Sequence, residues 1–348
     1  MSGRLKLRRG VVVSEAPLTV EVDGEHRRAW ADEVLLGKMR EGDEVVVNVA
    51  ALDLGLGSGG FDVVHVNLTR GLDAEPPGDA HVMKLNYTSL QHPVDPIELP
   101  VRLSPDMRGK GAPERVGGGV PVLVLPLHGY LAPAVWAAKQ AEPSLKVGYV
   151  QTAGGALPGS LSRDVVELRE RGLLAGHVTA APAYGGEHEA LSLPGAIDAA
   201  VHRHGWDAVV AGPGPGIIGS ETELGHGGMA ALDTAHAALA LGRPTVISPR
   251  LSDGDSRERH RPVSHHTLTV LRMLLAPVEV AVPAGNPVAT AVLADAAGWR
   301  HRLREVPVDL AGYASSGLPA QTMGRTIEED PLFFAAALAA GGALRRKG

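Results

Sequence analysis

The chain of 348 residues contains no cysteine. This absence excludes disulfides, thiolate zinc sites, iron–sulfur clusters and cysteine nucleophiles. Aromatic residues make up only 3% of the sequence, so a core has to be built mainly from Ala, Val and Leu. Apolar runs of about eighteen residues, which would indicate a membrane span, are also missing. The basic start is followed by VVVSEAPLTVEV instead of an apolar signal segment, so we expect a cytoplasmic protein without a membrane partner.

The charge balance argues against a general nucleic-acid partner. The formal net charge is −6, whereas nucleic-acid-binding domains usually carry a basic excess. Hydrophobic residues at 44% and charged residues at 21% are typical of a globular protein, and the length is sufficient for two domains. Glycine (44 residues) and proline (26 residues) are abundant, which indicates many loops with a specified backbone conformation.

Residues 1–103 are predicted to form a small antiparallel β-barrel domain. Short β-branched runs such as VVVSEAPLTVEV, DEVVVNVA and FDVVHVNLT are separated by turn residues. The Asp23-Gly24 pair suits a tight hairpin turn, because glycine tolerates a positive φ. Such short strands are typical of SH3-like or OB-like barrels. Residues 104–120 are rich in Gly, Pro and charge and are predicted to be a linker.

From residue 121 the pattern changes to alternating strands and helices. Buried apolar runs such as VPVLVLPL, KVGYVQT and DAVVAGP are each followed by a helical segment. This alternation predicts βαβ units and a mostly parallel sheet with helices on both faces. The pattern contains about seven units, fewer than the eight of a complete (β/α)8 barrel. Residues 121–348 are therefore predicted to form a doubly wound α/β domain, with the (β/α)8 barrel as the alternative.

The loops at one edge of the predicted sheet are long and rich in glycine and polar residues. In open parallel sheets, ligands bind at the carboxyl ends of the strands, where the strand order reverses. The loops that leave those ends cover residues 127–130, 151–160, 180–190, 211–228 and 250–267, whereas loops at the opposite edge, such as 241–244, are short. This asymmetry predicts a ligand-binding or active site at the carboxyl edge.

The loop AGPGPGIIGSETELGHGG, residues 211–228, holds seven glycines. Gly214, Gly216 and Gly219 reproduce G-x-G-x-x-G. Together with Ser220 they are candidate ligand-binding residues, because glycine lets backbone N–H groups approach an anion. No Gly-Lys-Ser/Thr is present and no helix clearly opens inside the motif, so neither a Walker site nor a dinucleotide site is indicated. The alternative is that these glycines only permit sharp turns.

The stretch RLSDGDSRERHRPVSHHT, residues 250–267, concentrates charge between two apolar segments. Arginine captures carboxylate or phosphate through paired hydrogen bonds. The candidate ligand contacts are Arg250, Arg257, Arg259 and Arg261. Pairing with neighbouring aspartates could also consume this charge. We rank an anion clamp first, a self-paired solvated loop second and a transition-metal site third.

Histidines and aspartates of the same edge are the candidate catalytic residues. Histidine titrates near neutral pH, which suits acid–base catalysis; the candidates are His128, His260, His265 and His266. Asp253 and Asp255 could orient a histidine or hold Mg²⁺ as a cofactor. Ser264 is a predicted helix N-cap, which places His265 and His266 in the first helical turn. Adjacent residues of a helix point about 100° apart, so we predict no transition-metal ligands here.

Several segments occur in an order that is typical of one protein family. They are MKLNYTSLQ, GYVQTAGGALPGSLS, AGPGPGIIG, SDGDSRERHRPVSHHTLTVL and TMGRTIEEDPLFF, and they span most of the chain, including DLGLGSGG in the β-rich start. Together they resemble an uncharacterised bacterial family, domain of unknown function 3866. The resemblance implies no activity and assigns no functional residue.

Two classes of function are consistent with these patterns. The first is an enzyme that acts on a small anionic molecule, phosphate-bearing compounds included, in a cleft at the carboxyl ends of the parallel strands. The alternative is a non-catalytic metabolite-binding or regulatory protein whose β-barrel contacts a partner. An enzyme needs an acid and a base that converge on one pocket, whereas a sensor needs only hydrogen-bond donors. The net charge disfavours a third, RNA-associated role.

Overall fold

The computed structural model describes residues 4–57, 59–72, 80, 82–98 and 119–344. The chain divides into two compact units, Met1–Val94 and Asp95–Gly348. The predicted linker, residues 104–120, lies outside the described residues except for Gly119 and Val120. Ile97 N donates a hydrogen bond to Glu189 O over 2.8 Å, which ties residues 95–98 to the second unit. The domain bounds at residues 103 and 121 stay a prediction.

The first unit contains a closed barrel of five short strands. The strands are β1 (Leu7–Glu15), β2 (Leu18–Val22), β3 (Glu25–Trp30), β4 (Glu44–Asn48) and β5 (Asp62–Asn67), in the order β1-β2-β3-β5-β4, with short helices α1 (Glu33–Leu36) and α2 (Ala50–Asp53) between them. A separate antiparallel pair consists of β6 (Val82–Lys84) and β7 (His92–Val94). The barrel pairings are antiparallel except for β3 with β5, which is parallel. The predicted small β-barrel is confirmed, and its five strands fit the OB-like kind.

Alternation of side chains explains why the barrel strands form. In β4 the side chains of Val45 and Val47 are buried in a core built largely from valine, whereas Glu44 is exposed. Asp23 and Gly24 connect β2 to β3 with φ angles of 52° and 83°. Two positive φ angles are typical of a type I′ hairpin turn, so the turn predicted from the Asp-Gly pair is confirmed.

The second unit is built on an open, eight-stranded sheet in which every pairing is parallel. Its strands are β8 (Val122–Val124), β9 (Val147–Thr152), β10 (His177–Ala180), β11 (His188–Ala190), β12 (Ala208–Pro213), β13 (Thr245–Ile247), β14 (Glu279–Pro283) and β15 (Arg302–Val306), in the order β11-β10-β9-β12-β8-β13-β14-β15. The doubly wound α/β prediction is confirmed. The sequence does not predict β11, because this edge strand has only three residues and lies within AYGGEHEA, whose charges are typical of a loop.

Helices cover both faces of this sheet. One face carries α3 (Leu131–Ala141), α4 (Arg163–Glu170), α9 (Leu310–Ala314) and α10 (Pro331–Gly342), and the other carries α5 (Leu193–His202), α6 (Ala230–Ala240), α7 (His265–Met273) and α8 (Pro287–Ala297). A hairpin of β16 (Gln321–Thr322) and β17 (Arg325–Thr326) precedes α10. Among the described residues, no helix combines the length and the apolar character that crossing a membrane would require.

The core of the second unit places most of its large aromatic side chains around α10. This helix, PLFFAAALAAGG, is buried along nearly its whole length and is apolar on all sides, as expected for a helix in the interior of a domain. Phe333 contacts Tyr130 edge to face, with ring centroids 4.5 Å apart. Tyr130 ends the helical turn His128–Tyr130 between β8 and α3, so the core supports the edge of the sheet where the long loops emerge.

The strand order positions the loops of the carboxyl edge. β8 lies between β12 and β13. The chain leaves β8 into α3 on one face of the sheet, whereas it leaves β12 and β13 into α6 and α7 on the other face. The loops after these three strands therefore diverge and leave a crevice between them, as expected at a switch point.

Candidate functional site

A cleft of about 520 Å³ opens at the carboxyl ends of β8, β12 and β13. This volume is in the range of small-molecule binding sites. Its wall is formed by residues 127–129 after β8, by residues between 215 and 226 after β12, by residues between 250 and 266 after β13, and by residues 321–323 of the β16–β17 hairpin. The loops after β12 and β13 therefore share one cleft.

Hydrogen bonds hold the loop after β13 in place at both of its ends. Leu251 N donates to the hydroxyl of Tyr130, just before α3, over 3.0 Å. At the other end, the hydroxyl of Ser264 accepts from His266 N over 3.2 Å and caps α7, which begins at His265 as predicted. The loop is therefore attached to the core and differs from a freely solvated connection.

The glycines after β12 have two different roles. A β-carbon on Gly214 would lie 2.3 Å from Ala156 O, so this glycine permits close packing against the loop after β9 and does not line the cleft. Gly216 and Gly219 do line it. The next helical turn begins only at Gly227, which agrees with the sequence argument against a dinucleotide motif.

Four of the histidines that line the cleft form one cluster. The lining histidines are His128, His226, His260, His265 and His266. The rings of His226 and His266 stack, with centroids 3.5 Å apart and an interplanar angle of 7°. The ring of His265 lies 5.6 Å from that of His226, and the ring of His260 lies 5.0 Å from that of His266. Two loops, after β12 and after β13, therefore bring these imidazoles together.

The clustered histidines are neutral near pH 7. Burial, followed by the charges of Arg250 and Arg257, lowers the pKa of His260 to about 3. Burial, followed by the neighbouring His226 and by Arg250, lowers the pKa of His266 to about 2. Burial also lowers the pKa of the other two members, His226 and His265. Neutral imidazoles accept hydrogen bonds and bind metal ions, but these pKa values make them poor general acids.

His226 has one ring nitrogen that is free to bind a ligand. Its Nε2 donates to Glu223 O over 2.9 Å, because a carbonyl oxygen can only accept. Its Nδ1 is buried and has no hydrogen-bond partner within the part of the chain that the structure describes. Ring nitrogens of His226, His265 and His266 all lie within 4.8 Å of one another. These three residues could hold a metal ion.

Asp255 binds two of the arginines in the loop after β13. Its carboxylate accepts from Arg257 Nη2 over 2.9 Å and from Arg250 Nη2 over 3.3 Å. Burial raises the pKa of Asp255, but the hydrogen bonds and charge of Arg257 outweigh burial and lower it overall. Arg250 Nη1 also donates to His266 Nδ1 over 3.3 Å. Because arginines engage the Asp255 carboxylate, the geometry gives no support to Mg²⁺ binding by Asp253 and Asp255.

Besides Gly214 and Asp255, three more candidate residues are not among those that line the cleft. Asp253 Oδ1 accepts from Leu332 N, at the start of α10, over 3.4 Å. The hydroxyl of Ser220 donates to Gly225 O over 3.0 Å within its own loop. Arg261 is exposed and is not among the residues that line the cleft. Arg250, Arg257 and Arg259, in contrast, do line it.

His128 borders the cleft, but its ring nitrogens face buried partners. Nε2 lies 2.8 Å from Ser162 Oγ, and Nδ1 lies 3.5 Å from Tyr149 Oη. Burial lowers the pKa of His128. Ser162 is itself buried and caps α4. The contact is therefore an interior hydrogen bond, unlike the exposed serine of a nucleophilic enzyme.

A comparison with known protein families gives a match over most of the sequence. The family described as "Protein of unknown function (DUF3866)" matches residues 28–341. The chain belongs to this family. The resemblance inferred from the sequence segments is thereby confirmed. Searches among curated proteins and among solved structures give no match to this DUF3866 chain.

His226 is the candidate metal-binding residue that is missing from the residues predicted from the sequence of this DUF3866 protein. The available signal is the HGG at the end of the loop after β12, which places a histidine directly before the helical turn that leads into α6. The adjacent helical positions of His265 and His266 predict that these two residues alone do not share a metal ion. The structure adds a third imidazole from another loop, and all three ring nitrogens lie within 4.8 Å of one another.

Proposed function

We propose that the protein is an enzyme that acts on a small anionic molecule bound in the cleft at the carboxyl ends of β8, β12 and β13. The charge of the cleft wall carries this proposal. Three of its four charged side chains are arginines, Arg250, Arg257 and Arg259, and the fourth is Glu221. In a chain with a net charge of −6, this local excess of cations favours an anionic ligand.

Internal pairing leaves part of this positive charge available. One carboxylate, that of Asp255, is shared by Arg250 and Arg257. Arg259 has an exposed ion pair with Glu221 at 3.7 Å. Exposed pairs contribute about 0–1 kcal/mol, so a ligand displaces this one easily. Charge-assisted hydrogen bonds to a bound anion contribute roughly 1.5–3 kcal/mol each, which favours the ligand over Glu221.

The protonation of the histidines limits their roles in a reaction. His260 and His266, with pKa values of about 3 and about 2, are unprotonated and only weakly basic at neutral pH, so they suit neither a general acid nor an efficient general base. This lack of an acid–base pair favours a second candidate function, in which the protein binds a metabolite without chemistry and its β-barrel contacts a partner. Product formation separates the two candidates.

The binding test compares two arginines of the same loop. Thermal unfolding of the wild type, Arg259→Ala and Arg261→Ala is measured with increasing phosphate, sulfate, citrate and a panel of phosphorylated metabolites. We expect at least one anion to stabilise the wild type and Arg261→Ala equally, because Arg261 lies outside the cleft wall. Arg259→Ala should bind that anion roughly tenfold more weakly, the equivalent of about 1.4 kcal/mol.

The enzyme test incubates the wild type with each stabilising compound, followed by mass spectrometry of the products. Turnover that Arg259→Ala reduces supports the enzyme, whereas binding without turnover supports the metabolite-binding alternative. Absence of any anion response in the wild type, or equal responses in both variants, would contradict an anion site that uses Arg259.

A further inference from the structure

We propose that His226, His265 and His266 together bind one divalent transition-metal ion, with zinc the best match, at the wall of the cleft. Metal binding itself does not depend on the proposed function. A catalytic use of the metal does rest on the proposed function, because it concerns the anionic molecule in the same cleft.

The spacing of the three imidazoles is the first observation. One ring nitrogen of each residue lies within 4.8 Å of one ring nitrogen of each of the other two before any ion is present. Nitrogens that bind one zinc ion at about 2.0–2.1 Å lie roughly 3.4 Å apart in a tetrahedral arrangement. Side-chain rotation has to close this difference. Because an ion lies in the plane of each imidazole it binds, His266 has to turn out of its stack on His226.

The hydrogen bonds of His226 are the second observation. The side chain is only 8% exposed, and its Nδ1 has no partner among the described residues. Its Nε2 donates to Glu223 O, which fixes the tautomer and leaves the Nδ1 lone pair available. Metal-binding histidines typically donate their second ring N–H to a carbonyl or carboxylate in this way. A buried acceptor without a donor is otherwise unfavourable.

Gly228 provides the third observation. A β-carbon at this position would lie 2.9 Å from His226 Nδ1 and 3.0 Å from His266 Nδ1. Glycine therefore keeps open a volume that both nitrogens face. A methyl group would occupy that volume without removing any ligand, so Gly228→Ala tests the space between the imidazoles separately from the imidazoles themselves.

The chemistry of the donors indicates the class of ion. Three imidazole nitrogens suit zinc and neighbouring transition metals, whereas Mg²⁺ and Ca²⁺ prefer oxygen ligands. Catalytic zinc sites take three protein ligands and keep a fourth position open, and this trio lines an open cleft.

Arg250 is the residue that most opposes metal binding at this site. Its Nη1 donates to His266 Nδ1 over 3.3 Å, so the ion has to displace this hydrogen bond. The charge of Arg250 also repels a cation, but Asp255 accepts from its Nη2 and offsets that charge. In zinc enzymes, the open position holds a water whose pKa is lowered. Such a water would supply the reactive group that the neutral histidines lack.

The test measures metal binding by the full chain. Protein stripped with a chelator is titrated with Zn²⁺ by calorimetry, and with Co²⁺ while the visible absorption of the cobalt is recorded. The variants are His226→Gln, His266→Gln and Gly228→Ala. His26→Gln, at an exposed histidine of the barrel, is the matched control. Circular dichroism and melting of the metal-free proteins show that each variant is folded.

We expect one Zn²⁺ per chain for the wild type and for His26→Gln, with an intense, tetrahedral-type Co²⁺ spectrum. His226→Gln, His266→Gln and Gly228→Ala should each weaken Zn²⁺ binding at least tenfold. Substoichiometric binding by the wild type, or unchanged affinity in folded His226→Gln, would overturn the proposal. Anion stabilisation of the metal-free wild type is measured in parallel. If it persists without zinc binding, only the metal site fails; if zinc binds and no anion does, only the proposed function fails.

Discussion

Asp255 determines how the arginines of the cleft are held. It is 1% exposed and binds Arg250, which is also buried, and Arg257, which is half exposed. Its own backbone N–H donates to Ser252 Oγ over 2.9 Å, so the carboxylate is placed by the loop and not by the arginines alone. A buried charge that loses its partner is strongly unfavourable, whereas an exposed one is solvated by water.

We therefore predict different losses of stability for the two sides of this interaction. Asp255→Ala should lower the free energy of unfolding by about 3–5 kcal/mol, because Arg250 is left buried without its carboxylate. Arg257→Ala should lower it by about 1–2 kcal/mol, because the buried carboxylate of Asp255 loses hydrogen bonds but keeps the one from Arg250. Urea unfolding followed by circular dichroism measures both. Similar losses in the two variants would show that the burial of Arg250 is not the main reason for the loss of stability in Asp255→Ala.

The lowered pKa of Asp255 predicts a pH dependence of this stability. A carboxyl group whose pKa is lower in the folded state stabilises the protein fully above its ordinary value of 3.8, and this contribution is lost as the pH falls through the folded-state value. The difference in free energy of unfolding between the wild type and Asp255→Asn should stay constant from about pH 7 to about pH 5 and shrink only below 3.8. Unfolding curves measured across this pH range provide the check. A decrease of the difference already above pH 5 would show that another titrating group is responsible.

Close contact between two helices depends on one glycine. A β-carbon on Gly341, near the end of α10, would lie 1.9 Å from Ala134 O in α3. The neighbouring Gly342 is different, since its β-carbon would approach only a methyl group of Val306, at 3.0 Å. A methyl group can move aside, whereas backbone atoms cannot. A side chain is therefore tolerated better at Gly342 than at Gly341.

Alanine at these two positions tests the contact between α10 and α3. Gly341→Ala should destabilise the protein by about 1–3 kcal/mol, because the helices have to separate. Gly342→Ala should change stability by less than about 1 kcal/mol, because the higher helix propensity of alanine offsets a small rearrangement of Val306. Thermal unfolding of both variants gives the comparison. A stable Gly341→Ala variant would mean that the helices are not in direct backbone contact.

At the scale of the whole molecule, α10 lies near the end of the chain and completes a core whose first elements lie at the start of the second unit. α10 packs against α3, β14 and β15, which come from well-separated parts of the chain. It buries large apolar side chains, namely Leu332, Phe333, Phe334 and Leu338. Each contributes about 1.5–3 kcal/mol, and the sum is comparable with the total stability of a typical domain, about 5–15 kcal/mol.

Truncation of the chain after Asp330 should therefore prevent the second unit from folding. We expect an insoluble product, or a soluble one without cooperative unfolding by circular dichroism. Phe333→Ala in the full chain is the graded control and should stay folded with a loss of about 3–5 kcal/mol. Cooperative unfolding of the truncated chain at a midpoint near that of the wild type would contradict a core that needs α10.

The sequence by itself determined the local elements and the edge of the sheet where the site lies. The turn at Asp23-Gly24, the cap at Ser264 and the alternation of strands and helices after residue 121 depend on interactions between near neighbours, which a pattern displays directly. The sequence does not predict the strand β11, because three residues are too few to show the alternation of a strand. The sequence predicts that the arginine-rich loop lies at the carboxyl edge of the sheet, because this loop comes directly after a buried strand.

Only the tertiary structure decided which side chains meet in the cleft. The strand order places β8 between β12 and β13, and this order brings His226 of one loop against His265 and His266 of another. Burial in the cleft wall also lowered the pKa values of His260 and His266. Such contacts and desolvation arise from packing between elements that are remote in the chain, and the identity of the residues alone does not specify them.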